Sequence, residues 1–197
     1  MGHLEPLRRF VRGMTECVER AGDGEAGRMA RARPLLQALI ECDDWLPDAF
    51  ATPHPEHYQQ YLLHCDPLER FSLVSFVWGP GQRTPIHDHT VWGLVGMLRG
   101  GEVCESFEMG AAGEAPRATG RLLLQPGDIE GVSPTIGDIH RVSNAHDDRV
   151  SISIHVYGAN IGAVHRHVYD AQTGAAKTFV SGYASPYLPN FWDRSRD

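Results

Sequence analysis

Eleven of the 197 residues are histidine, and three of them stand in patterns that could hold a metal. His87 and His89 alternate within "TPIHDHTVWGLVGMLRGGE". In a strand, residues two apart share a face, so these imidazoles can aim at one point while Asp88 points away. Farther along, "SPTIGDIHRVSN" supplies His140 after a turn-rich entry to another strand, and a closed β-barrel can bring such distant strands together. Three neutral imidazoles leave coordination positions open and suit iron, zinc, copper or nickel. Four residues after His89, where a carboxylate could complete the set, the chain has Gly93.

Three further groups have chemistry to offer. In "RVSISIHVYGAN" the apolar Ile152, Ile154 and Val156 fall on one face of a strand, and Ser151, Ser153, His155 and Tyr157 on the other. Hydroxyl, imidazole and phenol each donate and accept, so Ser153, His155 and Tyr157 can form a hydrogen-bond relay. In "VHRHVYD" Arg166 faces away from His165 and His167. Its guanidinium could grip a carboxylate through two parallel hydrogen bonds. In "EHYQQYLLH" Gln60 is the polar candidate, with Gln59 exchanged for it by a one-residue slip of register. His165 and His167 have ligand spacing but no third partner and read as structural. His54, His57, His64 and His146 carry no metal role, and Trp78 and Trp92 read as core or pocket wall.

These groups need a frame. Apolar residues recur at helical spacing from Leu4 to Met14 and from Met29 to Ile40, separated by the loop "AGDGEAG". That spacing predicts two helices, with Pro34 in the first turn of the second or marking a kink. "PEHYQQYLLHCD" could add a short third helix. After Glu69 come short runs rich in Val, Ile and aromatics, broken by Gly and Pro turns such as "QPGD". Such a series predicts a mainly β barrel or jelly roll with the N-terminal helices packed outside it. A net charge of −7 without a basic run argues against nucleic acid. No apolar stretch reaches membrane-spanning length, and the start "MGHLEPLRRFVRGM" does not read as a secretion signal or a myristoylation site. Cys17, Cys42, Cys65 and Cys104 form no Cys-x-x-Cys pair, so free thiols in a reducing cytoplasm are expected.

The two histidine stretches resemble the two sequence motifs of the cupin superfamily, the first of which usually reads G-x5-H-x-H-x3,4-E-x6-G. Gly81, His87, His89 and Gly100 match it, and Gly93 replaces the glutamate. Three histidines without that glutamate resemble the cysteine dioxygenase-like thiol dioxygenases, a likeness that runs over roughly residues 55–170. The resemblance implies a single cupin domain over 1–197, a double-stranded β-helix. Residues 1–66 would be mostly helical and 67–187 the barrel. It implies Fe(II) on His87, His89 and His140, with a small thiol and O2 as partners and both oxygen atoms passing to sulfur to give a sulfinate. Ser153, His155 and Tyr157 match that branch's Ser-His-Tyr triplet. Animal relatives carry a cysteine at the Gly93 position, crosslinked to the tyrosine; here Tyr157 should stay free. The substrate-binding arginine that cysteine dioxygenases place before the first motif is missing, and Gln60 with Arg166 resembles the bacterial 3-mercaptopropionate dioxygenases. A cysteine dioxygenase proper, or a metal-binding cupin that is an isomerase or ligand-binding protein, are the alternatives. Monomer and small homo-oligomer are equally compatible with the sequence.

Overall fold

The computed structural model describes residues 4–20, 22, 24–111, 113–185 and 195. The start of the chain at Met1–His3, Ala21 and Asp23 of the expected loop, and residues 186–187 of the expected barrel lie outside that set. Helix α1 spans Glu5–Glu19 and α2 spans Glu25–Ile40. Phe10, Met14 and Cys17 are buried along one face of α1, the i, i+4, i+7 spacing of an amphipathic helix. Because α2 starts at Glu25, Pro34 lies in its interior rather than its first turn, and its missing N–H removes one intrahelical hydrogen bond.

Among the described residues eleven strands follow in chain order: β1 (Gln59–Cys65), β2 (Ser72–Trp78), β3 (Ile86–His87), β4 (Gly93–Arg99), β5 (Glu102–Glu108), β6 (Arg117–Leu124), β7 (Ile129–Val132), β8 (His140–Asn144), β9 (Ser151–Tyr157), β10 (Arg166–Tyr169) and β11 (Ala176–Phe179). They pair antiparallel into two sheets, in the orders β1-β2-β9-β4-β7 and β11-β10-β3-β8-β5-β6. This is the expected mainly β, cupin-like double-stranded β-helix. The "QPGD" turn closes as expected, with Asp128 N–H donating to the Gln125 carbonyl at 2.9 Å and Gly127 left-handed at φ 93°.

The expected third helix is not there. Residues 59–65 form β1, paired with β2 from Gln59 opposite Val77 to Cys65 opposite Ser72, so the barrel begins before residue 67. The alternation explains the outcome. Tyr61 and Leu63 turn toward the core under the helices, while Gln60 turns toward the barrel interior. Only a period of two separates neighbours that cleanly.

Both helices sit outside the barrel, as expected. Phe10, Met14, Leu36, Leu39 and Ile40 pack with Leu73, Val77, Leu94, Ile152, Ile154 and Val156 on the outer face of the five-stranded sheet. Gly96 allows this closeness, since a Cβ there would lie 3.1 Å from both Leu36 and Ile40 side chains. Each buried Leu or Ile stabilises by roughly 1.5–3 kcal/mol. Anchoring the outward residues of β9 fixes its inward residues as well, and these face the site.

Candidate metal centre

His87 ends β3, which pairs with His140 at the start of β8 on one side and with Val168 of β10 on the other. Only His87 of the first pair lies in a strand; His89 follows in a loop. There Asp138 replaces the strand as the positioning device. Its Oδ2 accepts from the backbone N–H of His89 at 3.0 Å and of Thr90 at 2.8 Å, and Oδ1 lies 3.0 Å from His89 Nδ1. The tight turn leaves Thr90 left-handed at φ 59°. Asp88 points away, as expected, and its carboxylate accepts from the His167 backbone and ring and from the Tyr169 hydroxyl.

The three imidazoles converge, with ring centroids 4.7–4.9 Å apart and one candidate ligand atom from each within 4.8 Å of the others. Each has its Nδ1 engaged by the protein. His87 Nδ1 lies 3.1 Å from the Pro85 carbonyl, His89 Nδ1 faces Asp138, and His140 Nδ1 lies 3.2 Å from Cys104 Sγ. A carbonyl and a carboxylate can only accept, so Nδ1 of His87 and His89 carries the proton and Nε2 presents its lone pair. His140 Nε2 is buried with no partner of its own. Burial first, then His89 and Arg166, push His87 down to about 3, and burial with His87, His89 and His155 holds His140 well below the usual histidine range. Neutral, oriented, second-nitrogen-anchored imidazoles are the donor set a divalent transition metal needs.

On β9 the expected relay is formed. His155 Nδ1 lies 2.8 Å from the Tyr157 hydroxyl, and His155 Nε2 lies 2.8 Å from Ser153 Oγ, which also accepts from Trp78 Nε1 at 3.3 Å. Tyr157 stacks beside His89, centroids 5.5 Å apart, and lines the same cavity as the imidazole cluster. Gly93 lies against that ring: a Cβ would come within 2.7 Å of Tyr157 Cδ1 and 3.1 Å of Val132. Neither a glutamate nor a cysteine fits there while the tyrosine keeps this position.

A cavity of about 280 Å³ opens over the cluster, lined also by Tyr58, Gln60, Arg166, Phe179 and Ser181. Arg166 is 3% exposed. Its Nη2 donates to Ser181 Oγ at 2.6 Å, its plane lies over Phe179 at 4.7 Å, and Nε has no partner. Among the described residues no carboxylate forms an ion pair with it. A buried, unneutralised guanidinium is costly and marks a place for an anion. Gln60 lines the cavity, whereas the Gln59 amide donates to the Tyr58 carbonyl. Gln60 Nε2 gives its hydrogens to Ser181 Oγ at 3.1 Å and to the Gly182 carbonyl at 2.9 Å, which leaves its own carbonyl oxygen as an acceptor. Gln60 and Arg166 are thus joined through one serine.

The sequence reading thus has its eight residues on one cavity wall or one bond behind it. It missed Asp138, Cys104, Tyr58 and Ser181. His165 and His167 stay out of the cluster, as expected, and so do His54, His57, His64 and His146. Trp78 lines the cavity and Trp92 lies in the outer core. Cys17, Cys42 and Cys104 are free thiols.

No protein-family model matches the chain. It is 27% identical over 123 residues to cysteine dioxygenase type 1 of Danio rerio, a match that covers 60% of this chain and 59% of that protein. In sequence, the chain is similar to a cysteine dioxygenase. The chain spans about three fifths of that relative's length. Among solved structures it is similar to a cupin-like protein of Thermotoga maritima, at a TM-score of 0.48 and 17% identity, covering 66% of this chain and 90% of that one. It is also similar to TT1209 of Thermus thermophilus, at a TM-score of 0.44 and 22% identity, covering 57% and 92%. No helix among the described residues is long and apolar enough to cross a membrane.

Proposed function

We propose that the protein is an Fe(II)-dependent thiol dioxygenase acting on a small thiol carboxylic acid, with 3-mercaptopropionate as the best-fitting substrate. The observation that carries this reading is Arg166, a buried cation with no carboxylate paired to it among the described residues, lining the same small cavity as three convergent imidazoles. The reaction is R–S⁻ + O2 → R–SO2⁻: two S–O bonds form, the O–O bond breaks, and sulfur loses the four electrons that oxygen gains.

His87, His89 and His140 would hold the iron through Nε2, and the iron would supply thiol acidification and oxygen activation. Arg166, supported by Ser181 and Phe179, would bind the carboxylate and orient the thiol end toward the histidines. Gln60 keeps Ser181 in place and presents a carbonyl. The Tyr157 hydroxyl, held by His155 and Ser153, would face the sulfur end and position a proton there. Phe76, Trp78 and Val142 line the wall and limit water.

One feature favours the thiol acid over L-cysteine: the cavity lining among the described residues contains no Asp or Glu to pair an α-ammonium group. The similarity to cysteine dioxygenase keeps L-cysteine as the second reading. Oxygen uptake by the iron-loaded protein, measured with 3-mercaptopropionate, L-cysteine and cysteamine, separates them. A higher kcat/KM for 3-mercaptopropionate is expected, and preference for L-cysteine overturns the substrate. Stoichiometric zinc together with no thiol-dependent uptake after iron reconstitution overturns the dioxygenase reading in favour of a non-oxygenase cupin.

A further inference from the structure

Ser181 stands between the two polar residues of the acid end, and the hydrogen bonds around it fix what its own hydroxyl can do. Arg166 Nη2 donates to Ser181 Oγ at 2.6 Å, and Gln60 Nε2 donates to the same oxygen at 3.1 Å. We propose that Ser181 is a substrate-binding residue in its own right, its hydroxyl donating to the substrate carboxylate beside the Arg166 guanidinium. That role rests on the thiol-acid reading, whose carboxylate it helps to hold.

A serine hydroxyl has one hydrogen and two lone pairs. A guanidinium has no acceptor, so Arg166 can only give a hydrogen to Oγ. The Gln60 amide is oriented by Gly182, whose carbonyl oxygen accepts from the same Nε2 at 2.9 Å. A carbonyl can only accept, so the nitrogen of that amide, and not its oxygen, faces Ser181. Both lone pairs of Oγ are therefore taken, and neither neighbour can receive its hydrogen. Among the described residues no other group accepts it. Arg166 and Gln60 are 3% and 8% exposed, whereas Ser181 is exposed and lines the cavity. The two donors thus belong to the buried side, and the hydrogen is left for the open one.

An anion is what such a hydrogen suits. Phe179 covers the face of the guanidinium at 4.7 Å, so a carboxylate must come to its edge, where Ser181 already sits. An oxygen that accepts from Arg166 there lies within hydrogen-bond reach of the Ser181 hydroxyl. Accepting from a cation and an amide also polarises the Ser181 O–H, which strengthens the bond it makes onward. The same count gives selectivity. The amine of cysteamine or the hydroxyl of 2-mercaptoethanol would bring a donor to Ser181, whose lone pairs are already used. A site built from donors rejects ligands that leave those donors unpaired.

The test uses the full-length chain free of metal, with propionate, an acid without a thiol, as the probe. Native protein should bind propionate, and Ser181→Ala should raise its Kd roughly 10- to 100-fold, the loss expected for a hydrogen bond to a charged group. Ser181→Thr keeps the hydroxyl at an exposed position and should bind like the native chain. Infrared spectroscopy of propionate carrying carbon-13 in its carboxylate separates donation from mere support of Arg166. At saturation its stretching band should differ between the native chain and Ser181→Ala, because one donor to its oxygens is gone. An unmoved band, an unchanged Kd in Ser181→Ala, or a Ser181→Thr variant as weak as the alanine one overturns the proposal. A native chain that does not bind propionate overturns it together with the acid reading. Propionate binding that depends on Ser181 supports the proposal even where oxygen uptake fails, so the two fail separately. In iron-loaded protein, Ser181→Ala should act on the KM for 3-mercaptopropionate more than on kcat.

Discussion

Arg166 shows how much one residue's setting adds to its type. A surface arginine would carry no substrate argument, but this one is buried, stacked on Phe179 and short of an anion. Truncating one partner of a buried charged hydrogen-bonded pair costs about 2–5 kcal/mol. Arg166→Ala should therefore raise the apparent KM for a thiol acid by roughly 100-fold with iron content unchanged, as read by steady-state oxygen uptake and metal analysis. Equal loss of iron and of substrate binding would make Arg166 structural. At this scale the sequence was informative wherever a motif fixed spacing: the three histidines and the Ser-His-Tyr alternation needed only strand periodicity. It was silent on Asp138, Cys104 and Ser181, whose partners lie 49, 36 and 121 residues away along the chain. Aspartate, cysteine and serine are common in loops and strands for many reasons, and only the fold reveals which one faces a histidine ring.

β1 is the element the sequence concealed. Its two glutamines followed by Tyr-Leu-Leu satisfy a helical and an extended pattern equally over so short a run. Pairing with β2 decided it. The turn between them is held by Asp66, whose carboxylate accepts from the backbone N–H of Leu68 and Arg70 and from the Arg70 guanidinium at 2.7 and 2.8 Å. The hydrogen bond from the Arg70 side chain is the main cause that lowers the Asp66 carboxyl below its ordinary range. A depressed folded value means that this stabilisation is complete above the unfolded value of about 3.9 and is lost as pH falls through the folded one. Asp66→Asn should thus lower the melting temperature at pH 7, and the gap from the native chain should close as pH falls below about 4. A gap independent of pH would mean that the charge is irrelevant to the turn. The two helices, by contrast, were legible because Phe10, Met14, Leu36 and Leu39 repeat at helical spacing over several turns.

At the scale of the molecule, the fold class followed from the texture of the chain, and the gathering of ligands from the closure of the barrel. The two sheets hold His87 and His140 on neighbouring strands and hang His89 from Asp138, so metal binding draws on the native arrangement and on nothing the unfolded chain retains. A metal at 100 times its Kd should then stabilise by about 2.7 kcal/mol, or about 5–11 °C in melting temperature for a chain of this size. Anaerobic thermal melts with and without Fe(II) measure it, and His140→Ala should abolish the shift. No shift in the native chain would mean that the cluster does not take the metal. The serine that joins Gln60 to Arg166 has a consequence in time as well as in space. Ser181 follows every other member of the site in the order of translation, and residues 182 and 184 reach back to bond Gln60. On the ribosome, the three histidines emerge and can be gathered while the carboxylate cradle is still unmade. In the order of synthesis, the proposed acid-binding group would therefore be completed after the proposed metal group.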